Sequence, residues 1–161
     1  MKCLFIVLFA FIVLSCKKEG SSQATVGSIY PEEAVATTKN GVLTLLNEAV
    51  LSDSWEKRMD GVDLVGFEVV KGRTEGDAAE DFYMVVARTE EGVMVASLLE
   101  MRDNQFYFDT AGHEKAESYL LVVCKGACAE GCLPVVRITN GIKRIICSSC
   151  VDCAKNEVEV Y

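Results

Sequence analysis

The chain has 161 residues, of which half are hydrophobic and only two are proline, so it is suited to one packed domain rather than a disordered chain. Its formal net charge is −8, and residues 17–123 carry twenty acidic against ten basic side chains. An acidic body repels phosphate backbones, which argues against nucleic acid as a partner.

An apolar run of twelve residues, from Cys3 to Leu14, follows the short basic start Met1-Lys2. A helix that crosses about 30 Å of hydrocarbon needs roughly twenty apolar residues, whereas the apolar part of an export signal needs only about 7–15. The length of the run therefore predicts a signal peptide over residues 1–15 and not a membrane-spanning helix.

The run ends in Val13-Leu14-Ser15-Cys16, which resembles the lipobox of bacterial lipoproteins. The resemblance implies that the signal is removed before Cys16 and that this residue carries acyl chains, palmitate among them, on its sulfur and amine. Each buried CH₂ contributes about 0.8 kcal/mol, so two or more chains anchor a protein stably in a membrane. The alternative is an ordinary secreted protein in which a cysteine follows the signal by chance.

Residues 16–28 have no apolar periodicity and are interpreted as the lipidated N-terminus and a flexible tether. Within them, Lys17-Lys18-Glu19 is similar to sorting segments of lipoproteins displayed on the outer membrane in the Bacteroidetes. This resemblance implies an extracytoplasmic, membrane-anchored protein of a Gram-negative outer membrane, and it leaves open which side of that membrane the protein faces.

Residues 29–161 are predicted to form a single globular domain. Asn40-Gly41 and Asn140-Gly141 suit type I′ turns, because both positions of that turn need positive φ angles. The first pair predicts a hairpin with Thr37 opposite Thr44. The second predicts a hairpin of residues 135–139 with 142–147, in which Pro134 lies opposite Cys147. The same register sets Arg137 opposite Arg144, which is unfavourable unless both side chains are solvated on the outer face.

Residues 47–59 form the predicted helix, because Leu51, Trp55 and Met59 recur at intervals of four along one face. Asn47 or Ser52 is expected to cap it, and Trp55 to anchor the core. Strands rich in Val, Phe, Tyr and Leu are predicted at residues 64–71, 82–88, 93–101, 105–109, 119–124 and 157–161. These elements define an α+β fold, mainly antiparallel sheet with one packed helix and a Cys-rich C-terminal hairpin.

Six of the eight cysteines remain once Cys3 leaves with the signal and Cys16 is acylated, and all six lie in the Cys-rich part, residues 124–153. They form two triplets separated by the second hairpin: Cys124, Cys128 and Cys132, then Cys147, Cys150 and Cys153. In an oxidising compartment an even set of clustered thiols predicts three disulfides that join the facing triplets, with the connectivity left open among fifteen possibilities.

Metal binding is the alternative, because the triplets offer thiolates to Zn²⁺ or Cu⁺, although the spacing matches neither a zinc ribbon nor a ferredoxin-like cluster. Thiol-redox exchange through Cys147 and Cys150 is a further possibility. His113, the only histidine, lies in a polar stretch without a recognisable nucleophile. The sequence therefore predicts a cofactor-free, non-enzymatic binding or structural module that contacts another envelope macromolecule, with a metal-binding or thiol-redox protein as the alternative.

Overall fold

The computed structural model describes residues 32–111, 118–129 and 131–161. The predicted signal peptide, the acylation site Cys16, the tether and His113 lie outside this range. Within it the chain forms one helix, α1 (Glu48–Arg58), and eleven strands: β1 (Ala36–Lys39), β2 (Val42–Leu45), β3 (Val65–Arg73), β4 (Glu75–Gly76), β5 (Asp81–Arg88), β6 (Met94–Arg102), β7 (Gln105–Phe108), β8 (Tyr119–Lys125), β9 (Pro134–Thr139), β10 (Ile142–Cys147) and β11 (Ala154–Val160). The predicted fold class, mainly antiparallel sheet with one helix, is confirmed.

Both Asn-Gly hairpins form in the predicted register. The turn residues have left-handed backbone angles, with φ of 54° and 79° at Asn40 and Gly41 and of 53° and 76° at Asn140 and Gly141. Thr37 pairs with Thr44 in the first hairpin, and the second pairs β9 with β10 from the turn to its open end. Local turn chemistry thus sets both registers, because the twist of a type I′ turn matches that of paired strands.

The helix buries the predicted face, since Leu51 and Trp55 are fully buried and Met59 packs beside them. The predicted cap is wrong. Asn47 precedes the helix with a left-handed φ of 55° and makes no side-chain capping bond, and the Ser52 hydroxyl donates to the Glu56 carboxylate at 2.9 Å. An N-cap residue needs an extended backbone to turn its side chain onto the first turn, which the left-handed conformation of Asn47 prevents.

The larger sheet is built around β6. One edge of β6 pairs with β5, which pairs in turn with β3, while the other edge is shared between β8 near Met94 and β7 near Arg102. Beyond β7 lie β1 and β2, and β2 returns to lie against β3, so the two ends of the sheet approach each other. Among the described strands β11 pairs with β8 alone, and it is the predicted edge strand, although it begins at Ala154 rather than at residue 157.

One face of this sheet packs against the helix, in what we call the helix-side core. The Trp55 indole Nε1–H donates to the Tyr119 hydroxyl at 3.2 Å, and the Tyr119 ring stacks on Phe108 with centroids 3.7 Å apart. Burial of the phenol raises the pKa of Tyr119 to about 12. Trp55 is therefore a core anchor, as predicted, and its polar atom has a partner within the core.

The opposite face packs against a second sheet of order β10-β9-β4, which forms the hairpin-side core. Its buried residues are Phe82, Met84, Val86, Ala96, Val122, Cys124, Cys132, Val136 and Ile145. β4 lies outside the predicted strands and pairs with β9 in parallel, with Gly76 beside Ile138. The larger sheet is thus covered on both faces, and β8 carries Leu121 into one core and Val122 into the other, which explains its continuous apolar sequence.

Candidate functional site

Three disulfides join the two cysteine triplets in the same order along the chain. The first cysteine of each triplet forms one bridge, the second another and the third another, with Cα–Cα distances of 5.6, 6.2 and 5.4 Å for Cys124–Cys147, Cys128–Cys150 and Cys132–Cys153. These distances are ordinary for disulfides. The prediction of three bridges between facing triplets is confirmed, and the structure selects one connectivity from the fifteen.

The elements of the fold bring the triplets together. Cys124 ends the buried part of β8, and Cys147 ends β10, so the first bridge fixes the open end of the hairpin to the larger sheet. The other bridges join the loop that follows β8 to the loop that follows β10. Gly126 permits this approach, because a Cβ at this position would overlap the Asp152 carbonyl oxygen.

The sulfurs form one continuous cluster. Those of Cys124, Cys147 and Cys132 lie within 4.8 Å of one another, and so do those of Cys128, Cys150 and Cys153. The Cys132–Cys153 bridge links these two groups of three. As disulfides the sulfurs are structural cross-links, whereas after reduction each group would offer three thiolates, a donor set that suits Zn²⁺ or Cu⁺.

Cys147 and Cys150 have the spacing of a redox-active pair, but each forms its bridge with a residue of the first triplet. Cys124 and Cys132 are fully buried, while the other four cysteines are half-buried. Cys128–Cys150 is therefore the one of the three bridges in which neither sulfur belongs to a fully buried residue, and an external thiol can approach it from either side.

A cleft of about 320 Å³ lies between β10 and the hairpin-side face of the larger sheet, and no cysteine lines it. Apolar side chains line it from the sheet, namely Leu98 on β6 and Leu120 and Val122 on β8. From the hairpin, β10 contributes Lys143 and Arg144. The volume is at the lower end of the range of ligand clefts, roughly 300–1,000 Å³, and the lining has their usual mix of apolar surface and a few charges.

The acidic groups of the cleft come from the segment that follows β7 and from β11. Asp109 follows β7, and its carboxylate accepts the Ala111 amide at 2.8 Å; Glu157 on β11 accepts the Lys155 amine at 2.6 Å. The Lys155 amine also donates to the Ile145 carbonyl at 3.3 Å and so ties β11 to β10. The cleft thus has cations on the hairpin and anions on the sheet, with apolar surface between them.

The sequence predicted the six cysteines as the site but not the cleft, because its lining comes from four strands that are distant along the chain. One sequence signal could have indicated it. Lys143-Arg144 is a cationic pair on a predicted strand of an acidic protein. Arg137 lies opposite Arg144, and both are exposed, which is the condition under which the pairing of two arginines is tolerated.

Comparison of the chain with protein-family models, with curated proteins and with solved structures finds no match. Among the described residues, no helix has the length and apolar character needed to cross a bilayer.

Proposed function

We propose that this chain is a lipid-anchored lipoprotein of the bacterial cell envelope, attached through acyl chains on Cys16, and that its domain is a non-enzymatic binding module. The observation that carries the binding role is the cleft between the hairpin and the larger sheet. Three bridges and the tie from Lys155 to Ile145 hold its walls in place. A cleft that is rigid before a ligand arrives binds without ordering its walls, which favours affinity.

The disulfides support the extracytoplasmic location. Bridges of this kind persist in exported proteins and are rare in a reducing cytosol. The export signal over residues 1–15 and the lipobox-like segment that ends at Cys16 give the route and the anchor. The partner is a macromolecule of the envelope, and the acidic body of the protein disfavours nucleic acid.

Metabolic labelling with an alkyne fatty acid tests the anchor. The full chain expressed in a Gram-negative host should incorporate the label, and Cys16→Ser should lose it and retain residues 1–15. Cys3→Ser is the matched control, because it changes the other cysteine of the N-terminal segment and should leave labelling intact. Equal labelling of Cys16→Ser and the unchanged chain would refute the anchor.

A metal-binding or thiol-redox protein is the second candidate function. It is favoured by the two groups of three sulfurs, each within 4.8 Å, that reduction would convert into thiolate sites. The number of reactive thiols in the unreduced protein separates the candidates. No reactive thiols support the structural disulfides, six that react only after a chelator is added support metal binding, and one reactive pair supports redox exchange.

A further inference from the structure

The three bridges lie in a row. We call them the outer bridge (Cys128–Cys150), the linking bridge (Cys132–Cys153) and the inner bridge (Cys124–Cys147). The Cys153 sulfur lies within 4.8 Å of both sulfurs of the outer bridge, and the Cys132 sulfur lies within 4.8 Å of both sulfurs of the inner bridge. Each end of the linking bridge is therefore beside a different neighbour, so the six sulfurs form a chain from one bridge to the next.

Neighbouring sulfurs of this kind can exchange partners. A thiolate that attacks a disulfide sulfur forms a new bridge and displaces the other sulfur as a thiolate, which can attack in turn. We propose that the cluster is a thiol–disulfide relay, in which an external dithiol opens the outer bridge and the exchange passes through the linking bridge to the inner bridge. This activity deepens the second candidate function, thiol-redox exchange, on which it rests. It belongs to the fully oxidised protein, where thiols appear only after a dithiol has reacted.

The outer bridge is the point of entry. Both of its cysteines are half-buried, and the residues on either side of each are exposed. Each of the other two bridges contains a fully buried cysteine, Cys132 or Cys124. Because exchange needs access to a sulfur, an external dithiol reaches the outer bridge first. One thiolate of the reagent forms a mixed disulfide, its second thiol closes the cyclic disulfide of the oxidised reagent, and Cys128 and Cys150 are released as thiols.

The first transfer within the protein runs from Cys150 to Cys153. The two residues have the Cys-X-X-Cys spacing of redox-active pairs, and the Cys153 amide donates to the Cys150 carbonyl at 3.1 Å, so a tight turn holds them together. The Cys150 thiolate attacks the Cys153 sulfur and forms a Cys150–Cys153 bridge. The bond to Cys132 breaks, and Cys132 leaves as a thiolate with the electron pair of that bond.

The second transfer carries the exchange into the core. The Cys132 thiolate attacks one sulfur of the inner bridge and displaces the other, which takes up a proton. Two bridges and two thiols then remain, so the protein has gained the two hydrogens that the dithiol has lost. The inner bridge joins β8 to the end of β10. Reduction at the surface therefore ends the direct attachment of the hairpin to the larger sheet.

Bridge mapping during partial reduction tests the relay. The acylated mature protein in phosphatidylcholine nanodiscs is treated with one equivalent of dithiothreitol, quenched with acid, alkylated with N-ethylmaleimide and digested with pepsin for mass spectrometry. The outer bridge should disappear first. A Cys150–Cys153 bridge should then appear together with an alkylated Cys128, before any label on Cys124 or Cys147. Label on Cys124 or Cys147 before Cys128 would overturn the proposed entry.

Removal of the outer bridge distinguishes the relay from reduction through unfolding. Cys128→Ala/Cys150→Ala lacks the entry, so dithiothreitol should reduce its two remaining bridges at least tenfold more slowly. If the bridges were reduced only after unfolding, this less stable variant would be reduced faster. The matched control Cys124→Ala/Cys147→Ala also loses one bridge but retains the entry, and it should form the Cys150–Cys153 bridge at the unchanged rate. Equal or faster reduction of Cys128→Ala/Cys150→Ala would overturn the relay.

The mapping also separates failure of the relay from failure of the function on which it rests. Thiols that stay at Cys128 and Cys150, with the linking bridge intact, would overturn the relay and leave redox exchange at the outer bridge. No reaction of the folded protein with dithiothreitol would overturn both, and the three bridges would then be structural cross-links. Because the mapping uses the unchanged protein, it decides the question even where a variant fails to fold.

Discussion

Removal of the Cys128–Cys150 bridge should destabilise the protein less than removal of the Cys132–Cys153 bridge. The middle bridge spans 22 residues along the chain, and a lone bridge of that size stabilises by about 3 kcal/mol in the chain-entropy model. The two other bridges already restrict the unfolded chain, because their cysteines are only three or four residues away from Cys128 and Cys150. The effective loop is then under about ten residues, which reduces the contribution to roughly 2 kcal/mol.

The double substitution Cys128→Ala/Cys150→Ala should therefore lower the free energy of unfolding by roughly 2 kcal/mol. Cys132→Ala/Cys153→Ala is the matched comparison and should cost about 1–2 kcal/mol more, because Cys132 is fully buried and its sulfur leaves a cavity. Urea denaturation under non-reducing conditions measures both. The opposite order, or a loss well above 3 kcal/mol for Cys128→Ala/Cys150→Ala, would refute the interleaved arrangement of the three bridges.

Three further results are expected. The contribution of Tyr119 to the free energy of unfolding should be full below pH 10, the pKa of an unfolded tyrosine, and should fall by about 3 kcal/mol as the pH rises towards 12, because the unfolded chain ionises first. Tyr119→Phe should remove that fall in urea denaturation at alkaline pH. An unchanged dependence on pH in this variant would contradict the role of Tyr119. Trp55→Ala should cost about 3–5 kcal/mol by the same denaturation assay, and a cost below 1 kcal/mol would contradict its role as core anchor. Gly126→Ala should leave reactive thiols after oxidative refolding, because its Cβ overlaps the backbone at Asp152. Gly92→Ala is the control: its φ of 82° strains an alanine locally, but no atom opposes the new Cβ and the position lies outside the Cys-rich part, so all three bridges should form. Full oxidation of Gly126→Ala would disprove the close approach.

Local chemistry made much of the fold predictable. The Asn-Gly turns fixed both hairpin registers to the residue, since the preferred turn type leaves little choice of pairing. The spacing of Leu51 and Trp55 predicted the helix, because a helix that buries one face needs apolar residues at intervals of three or four. Each of these predictions depends on residues that are close along the chain.

Features that depend on distant residues were not predictable in the same way. Nothing local to Glu75 and Gly76 indicates that they pair with β9, about sixty residues later, in a parallel register. The order of the bridges depends on how two loops run beside each other, and the cleft depends on β10 crossing the face of β6 and β8. The even number of cysteines predicted bridges, and only the packed fold determines their partners.

The intact mass of the unreduced protein extracted from membranes tests the central claim most directly. The account predicts the mass of residues 16–161 plus acyl chains on Cys16, less six hydrogens for three bridges, and a gain of six hydrogens on reduction. A mass that includes residues 1–15, carries no acyl group and does not change on reduction would contradict both the lipid anchor and the oxidised cysteine cluster.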